Sequence, residues 1–312
     1  MKENLNTIFP VDPTYERAFL EIFSPKKESS KKHLMNFINA IFTEHGLRPI
    51  IDLEPFSENL TPDHHSIDSK FARIDVVVTD TEKNIINVEI QRGDQYFYYD
   101  RAYFNACRLY GGQLAKRQSY SKLKKVVLIN ILNFTLFKEE EFKDMYITTH
   151  KMMCFETKTC LKESPVTIFY LELPKMSENQ KSSKTKSWAA LLSNNKNFER
   201  FIMEHKESQD AYKQAEKITH SPALIAAYKD FLEVWNDEEA VRATERDLAI
   251  QHGFELGEEK GIEKGIKKGI EQGKLEFIST LMSIGHSTEQ IAQMLKLSMN
   301  EFNRILQSKN KT

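Results

Sequence analysis

Residues 71–91, FARIDVVVTDTEKNIINVEIQ, constrain the fold more than any other stretch of the chain. Two runs rich in β-branched residues, 73–79 and Ile85–Gln91, flank the polar turn 80–84 and read as a β-hairpin. A turn centred on Glu82 sets Asp75 opposite Glu89, with Cβ atoms roughly 4.5–5.5 Å apart. Glu89 and Gln91 are two residues apart and share a face of their strand. Carboxylates buried on a strand are costly unless they are paired or bound to a metal. A hard divalent cation such as Mg²⁺, held by one or two carboxylates with water and phosphate oxygens, offsets that cost.

The segments around the hairpin read as an α/β unit. Residues 13–23 form a helix opened by a proline, with Tyr15, Ala18, Phe19, Ile22 and Phe23 at helical spacing. Ser29 or Ser30 is placed to cap a second helix that ends near Gly46. Residues 47–56 have strand character, and 57–69 form a polar loop on which His64 and His65 read as solvated rather than as metal ligands. After the hairpin comes a helix over 96–118, whose many aromatic residues read mainly as a core-facing stripe. Arg101, Arg108 and Gln113 are spaced so that some face the hairpin carboxylates. Lys116, Arg117, Lys122 and Lys124 make a local basic cluster, which suits either a phosphate-contacting rim or a solvated helix end. The run VVLINILNF, 126–134, is a buried central strand, and 145–156 and 166–173 extend the sheet. Residues 176–186 are polar without apolar period and read as a linker. A helical region, 187–250, then packs on the core.

Composition narrows the classes. The 312 residues carry a net charge of −1, so any nucleic-acid surface must arise from local asymmetry. Hydrophobic residues make up 40%, enough for a sizeable core. Cys107, Cys154 and Cys160 lack CxxC spacing and fit small core residues in a reduced cytoplasm. Neither a signal-peptide pattern nor a run of 18 apolar residues is present, so the sequence reads as cytoplasmic. No Gly-rich phosphate loop or nucleophile elbow points to a small-molecule enzyme or cofactor.

The last region, 251–312, carries a second signal. Gly253, Gly257, Gly261, Gly265, Gly269 and Gly273 recur every four residues. Each costs a helix about 0.8–1 kcal/mol against alanine, about 5 kcal/mol for six. The intervening Glu, Lys and Ile residues nonetheless favour a helix. Glycines four apart drift about 40° per step and make a slowly winding groove for a close helix partner. We read this as a homodimer contact, against a charged helix with no partner. Beyond it, Ser287 and Gln290 form a capping-box pattern, and two short helices joined at 296–298 are helix-turn-helix-like. The second helix lacks a basic face, with only Arg304 and the tail residues Lys309 and Lys311.

The spacing D-(13 residues)-E-I-Q on a hairpin resembles the PD-(D/E)XK nuclease core. More closely, it is similar to the bacterial Rpn family of recombination-promoting nucleases, also described as transposases, which have Gln where the motif usually has Lys. The flanks carry the same resemblance: Glu16-Arg17-Ala18-Phe19, then Phe37-Ile38-Asn39-Ala40-Ile41, then Arg101, Tyr110-Gly111, Gln113-Leu114 and Tyr120-Ser121-Lys122-Leu123. It covers roughly residues 8–175, and the glycine ladder with its tail also resembles the family's C-terminal region. The implied fold is α/β, a PD-(D/E)XK (restriction-endonuclease-like) core with a mixed sheet, followed by an all-helical C-terminal region. The implied activity is metal-dependent DNA cleavage in recombination or mobile-element movement. Asp75, Glu89 and the Ile90 carbonyl are the implied holders of Mg²⁺ or Mn²⁺, with Glu16 positioning water and Gln91 in the lysine position. Lys116, Arg117, Lys122, Lys124 and Arg101 are the candidate DNA contacts. The competing expectation is a catalytically inactive DNA-binding or assembly protein that retains the fold; the presence of both Asp75 and Glu89 argues against it.

Overall fold

Apolar runs become sheet and apolar stripes become helices in the predicted order. The computed structural model describes residues 6–56, 76–93, 97–160 and 164–308. Helices α1 (Glu16–Phe23) and α2 (Glu28–Glu44) precede β1 (Leu53–Pro55) and the hairpin β2 (Val76–Asp80) and β3 (Ile85–Gln91). Then come α3 (Tyr98–Gly111), β4 (Val126–Leu132), β5 (Ile147–Lys151), the short pair β6 (Met153–Cys154) and β7 (Thr159–Cys160), and β8 (Val166–Glu172). Six helices follow: α4 (Lys184–Ser193), α5 (Glu199–Met203), α6 (Lys206–Thr219), α7 (Pro222–Ser283), α8 (Thr288–Met294) and α9 (Met299–Ser308). The chain divides into two units, Met1–Phe231 and Leu232–Thr312.

The first unit is built on a six-stranded mixed sheet of order β1-β2-β3-β4-β8-β5. β3, β4 and β8 run parallel and the outer strands pair antiparallel. Along β2 and β3 the pairs are Val76–Val88, Val77–Asn87, Val78–Ile86 and Thr79–Ile85, the register that a turn centred on Glu82 dictates. All seven residues of β3 and all seven of β4 are buried, as expected of central parallel strands. Period two then sorts the side chains. Ile86, Val88, Ile90, Val127, Ile129 and Ile131 join Phe19, Phe23, Phe37, Ile41 and Trp188 in the larger core. Ile85, Leu128, Leu132, Ile168 and Tyr170 pack under Tyr98, Ala102, Ala106 and Leu109 of α3. The alternation places Asn87, Glu89 and Gln91 on this second, α3-covered face.

Several local expectations are corrected by tertiary contacts. Ser30 does not cap α2. Lys27 is the N-cap, and the buried Ser30 hydroxyl donates to the Glu21 carbonyl (2.7 Å) while accepting from Gln214 (2.9 Å). α3 stops at Gly111, because Gln113 turns back to hydrogen-bond both backbone groups of Lys124. Of its aromatics, Tyr98 is buried, whereas Phe97, Tyr99, Tyr103 and Phe104 are exposed. The three cysteines are also exposed rather than in the core. The segment expected to be a linker is packed into the first unit. Ser183 caps α4, and Lys186, wholly buried, donates to the carbonyls of Ser177 and Gln180 at 2.7 Å each.

Polar contacts tie the carboxyl ends of the central strands to the start of the chain. Arg92, directly after β3, pairs with Asp12 at 3.0 Å and donates to Thr14 at 3.0 Å. Asn133, directly after β4, donates to Thr14 at 2.9 Å, and its N–H donates to the Gln91 carbonyl. α1 therefore begins at the end of β3 that carries Gln91. At the end of β8, the fully buried Glu172 accepts from the N–H groups of Leu136 (2.6 Å) and Phe137 (3.1 Å) and from Lys175 (2.8 Å).

In the second unit, the part of α7 from Leu232 onward presents the glycines on an open surface. Nothing lies within 4 Å of where a Cβ would stand at Gly253, Gly257, Gly261, Gly265, Gly269 or Gly273. Ile278, Ile291, Ala292 and Phe302 form a small core, and both halves of the Ser287/Gln290 capping box are made. Lys309 and Lys311 lie outside the described residues, as do His64, His65 and Asp75.

Replacing Glu172 by alanine leaves two N–H groups without their acceptor and the buried Lys175 ammonium without its counter-charge, holding only the Phe137 carbonyl. The expected loss is about 3–5 kcal/mol of unfolding free energy, read by urea denaturation. A loss under about 1 kcal/mol would show that water replaces the carboxylate.

Candidate active site

Three polar side chains project from consecutive α3-facing positions of β3: Asn87, Glu89 and Gln91. All are buried, with Glu89 only 1% exposed. Glu89 Oε1 accepts from Gln91 Nε2 at 2.8 Å and from the Arg101 guanidinium at 2.8 Å. Arg101 reaches it from the second turn of α3, a third of its side chain remaining exposed. The spacing prediction that some of Arg101, Arg108 and Gln113 face the hairpin is thus met by Arg101. Arg108 instead lies over the Phe104 ring at 5.8 Å, and Gln113 ties α3 to the loop before β4.

The second oxygen is different. Glu89 Oε2 is buried and has no hydrogen-bond partner among the described residues, and neither do the two amide atoms of Asn87. A native interior rarely leaves a carboxylate oxygen in this state. Burial pushes the Glu89 pKa up, and the Arg101 charge and the hydrogen bonds from Arg101 and Gln91 oppose that rise. Oε1 is thus fixed in orientation, while Oε2 is left open among the described residues. A cation fits this donor: it would satisfy the orphaned oxygen and favour the ionised carboxylate. Among the described residues no group of three or more His, Cys, Asp or Glu side chains converges.

The sheet continues this polar row. Glu89 is level with Asn130 on β4 and with Tyr170 on β8. Asn130 accepts from the Tyr98 hydroxyl at 2.9 Å and donates to the Phe169 carbonyl at 3.1 Å. The Tyr170 hydroxyl is buried without a hydrogen-bond partner among the described residues, and burial raises its pKa. Asn87, Asn130, Tyr98 and Tyr170 are polar members of the site absent from the sequence-based candidates. Period two along β3 and the lone Asn inside VVLINIL were the available signals.

The other candidates are distributed around this cluster. Glu16 opens α1 half-exposed, on the helix tethered to the carboxyl end of β3 through Thr14, and makes no hydrogen bond or ion pair with Glu89, Gln91 or Arg101. The Ile90 side chain points into the opposite core. Lys116, Arg117, Lys122 and Lys124 are exposed between α3 and β4. Lys124 is six residues before Asn130, so the cluster sits about 20 Å along the strand direction from Glu89. The structure therefore groups Arg101 with Glu89 and sets the four others at the opposite end of the sheet.

A family model described as PD-(D/E)XK nuclease family transposase matches residues 13–245. Comparison with curated proteins and with solved structures finds no match.

The raised pKa has a measurable consequence. Between the ordinary carboxylate range and that raised pKa, the folded chain keeps a proton on Glu89 that the unfolded chain releases. This part of the stability is present at acid pH and lost as pH rises. Compared with Glu89→Gln, the wild type is therefore expected to lose stability as pH rises above the ordinary carboxylate range, read by urea denaturation at each pH. Parallel curves would show that Glu89 titrates normally.

Proposed function

The chain belongs to the PD-(D/E)XK nuclease family transposases, and on that premise we propose that it is a metal-dependent DNA endonuclease whose centre is Glu89. The observation that carries the reading is the buried carboxylate with one oxygen held by Gln91 and Arg101 and the other left open. Asp75, adjacent to β2 in sequence, is the proposed second carboxylate, and the Ile90 carbonyl a further ligand. When bound, Mg²⁺ or Mn²⁺ supplies Lewis-acid polarisation of the phosphate and a lower pKa for the attacking water.

The chain's own residues do the rest. Gln91 orients the Glu89 carboxylate and, at the usual lysine position, provides hydrogen bonds without charge. Arg101 supplies that missing charge, since a guanidinium stays protonated and its several donors can serve Glu89 and a phosphate oxygen together. Glu16 positions water from the start of α1. The proposed setting is DNA recombination or mobile-element movement in the cytoplasm. No helix among the described residues is long and apolar enough to cross a membrane.

The glycine-bearing part of α7 is the proposed homodimer contact, supported by the open glycines and by the exposed Ile262, Ile266 and Ile270. Light scattering on the full chain tests it: a dimer that Gly261→Leu with Gly265→Leu converts to monomer supports the contact, and a monomeric wild type removes it.

Supercoiled plasmid incubated with purified protein and Mg²⁺ or Mn²⁺ is expected to become nicked or linear. Asp75→Ala and Glu89→Ala are expected to abolish cleavage. Arg101→Gln is expected to lower the rate about 100-fold, and adding Gln91→Lys to restore part of it. DNA binding without cleavage by the wild type would favour an inactive binding protein that keeps the fold. Cleavage that survives Glu89→Ala would place the chemistry elsewhere.

A further inference from the structure

The stretch from Phe97 to Lys125 has a charge and aromatic pattern unlike the rest of the chain. It contains seven Lys or Arg residues against one acid, Asp100, in a protein whose net charge is −1. It also exposes Phe97, Tyr99, Tyr103, Phe104 and Tyr120, the last by 83%. Soluble surfaces seldom expose so many large rings on one short element. Tyr99 stacks on the core residue Tyr170, whereas Tyr103 and Phe104 lie outside the core that Ala102, Ala106 and Leu109 cover.

The pattern is ordered along the helix. Arg101, Phe104 and Arg108 are spaced i, i+3, i+7 and share one stripe. The stripe begins where Arg101 touches Glu89. It includes the Arg108 guanidinium over the Phe104 ring, and Tyr103 is exposed about 100° round the helix from Phe104. Beyond the end of α3, Gln113 anchors the loop that carries Lys116, Arg117, Lys122 and Lys124. A helix of 14 residues is about 20 Å long, so the track spans several nucleotides. This explains why the basic cluster lies far from Glu89: it is the far end of a path whose near end is the carboxylate.

Building on the nuclease reading, we infer that this face of α3 binds a single-stranded segment of nucleic acid, with unpaired bases stacked on Tyr103 and Phe104 and phosphates running along Arg108, Lys116, Arg117, Lys122 and Lys124. Cations alone would suit any polyanion. Exposed rings interleaved with them suit bases whose faces are open, which a paired duplex hides in its own stack. The strand would enter over the lysine cluster and place a phosphate at Arg101 and Glu89.

The test is fluorescence anisotropy with the full chain in EDTA, so that binding is read without cleavage. The probes are a labelled single strand of mixed sequence and the same strand in a blunt duplex. The single strand is expected to bind more tightly. Tyr103→Ala with Phe104→Ala, both at exposed positions, is expected to weaken single-strand binding at least tenfold and duplex binding less than twofold. Lys116→Glu with Arg117→Glu is expected to weaken both and to flatten the salt dependence. Equal or tighter duplex binding, or unchanged single-strand binding by the aromatic variant, overturns the inference. So does light scattering in which the aromatic variant loses self-association but keeps its DNA affinity, which assigns the face to a second copy of the chain. The two readings fail separately: a protein that cuts plasmid but ignores the ring substitutions loses only the track, and one that binds single strands but never cuts loses only the nuclease.

Discussion

A carboxylate in the middle of a fully buried strand has to be held by something outside that strand. Glu89 is held by Arg101 from α3 and by Gln91 from its own face. The pairing works only because α3 lies across β3, β4 and β8, seated by Tyr98, Ala102, Ala106 and Leu109. That seating requires the parallel ladder to keep the alternation of all three strands in step. A one-residue slip of β3 would send Glu89 into the core of Phe37 and Trp188 and bring Ile90 under Arg101. The register of the sheet and the electrostatics of the site are therefore one constraint.

Two buried carboxylates on the same sheet face show how differently a fold can treat the same group. Both oxygens of Glu172 are engaged, by two N–H groups and the Lys175 ammonium, and the contact closes the loop after β4 onto β8. It leaves nothing to bind. Glu89 has one engaged oxygen and one open one. Neither residue type nor burial separates the staple from the site; the count of satisfied lone pairs does.

Much of this arrangement is legible in the chain. The hairpin, its register and the shared face of Glu89 and Gln91 follow from β-branched runs, turn chemistry and period two. The helical order after β8 follows from apolar spacing. What local patterns could not supply is what lies across from each face. The aromatics of α3 look like core because their spacing is helical, yet the small residues Ala102 and Ala106 occupy the buried side and leave the large rings outside. Residues 176–186 look like a linker because they are polar. A lysine stem with two carbonyl acceptors under its ammonium can be buried all the same, as Lys186 is. Arg101 was one of three spaced candidates, and only the docking of α3 on the sheet selects it.

The contacts of the first residues bear on the time course of folding. The buried Phe9 exchanges both backbone hydrogen bonds with the Asn194 side chain, 185 residues later. Tyr15 packs against Tyr228 and Phe231 at the start of α7. During synthesis the segment around Phe9 and Tyr15 therefore leaves the ribosome with these side chains unmatched, and it stays so until α4 and the start of α7 have been made. Closing such long-range contacts is slow and leaves apolar surface open in the interval. The first unit can close only after α4 and the first turns of α7 emerge, so the surroundings of Phe9 and Tyr15 are completed late, after the Thr14 contacts to Arg92 and Asn133 have become possible.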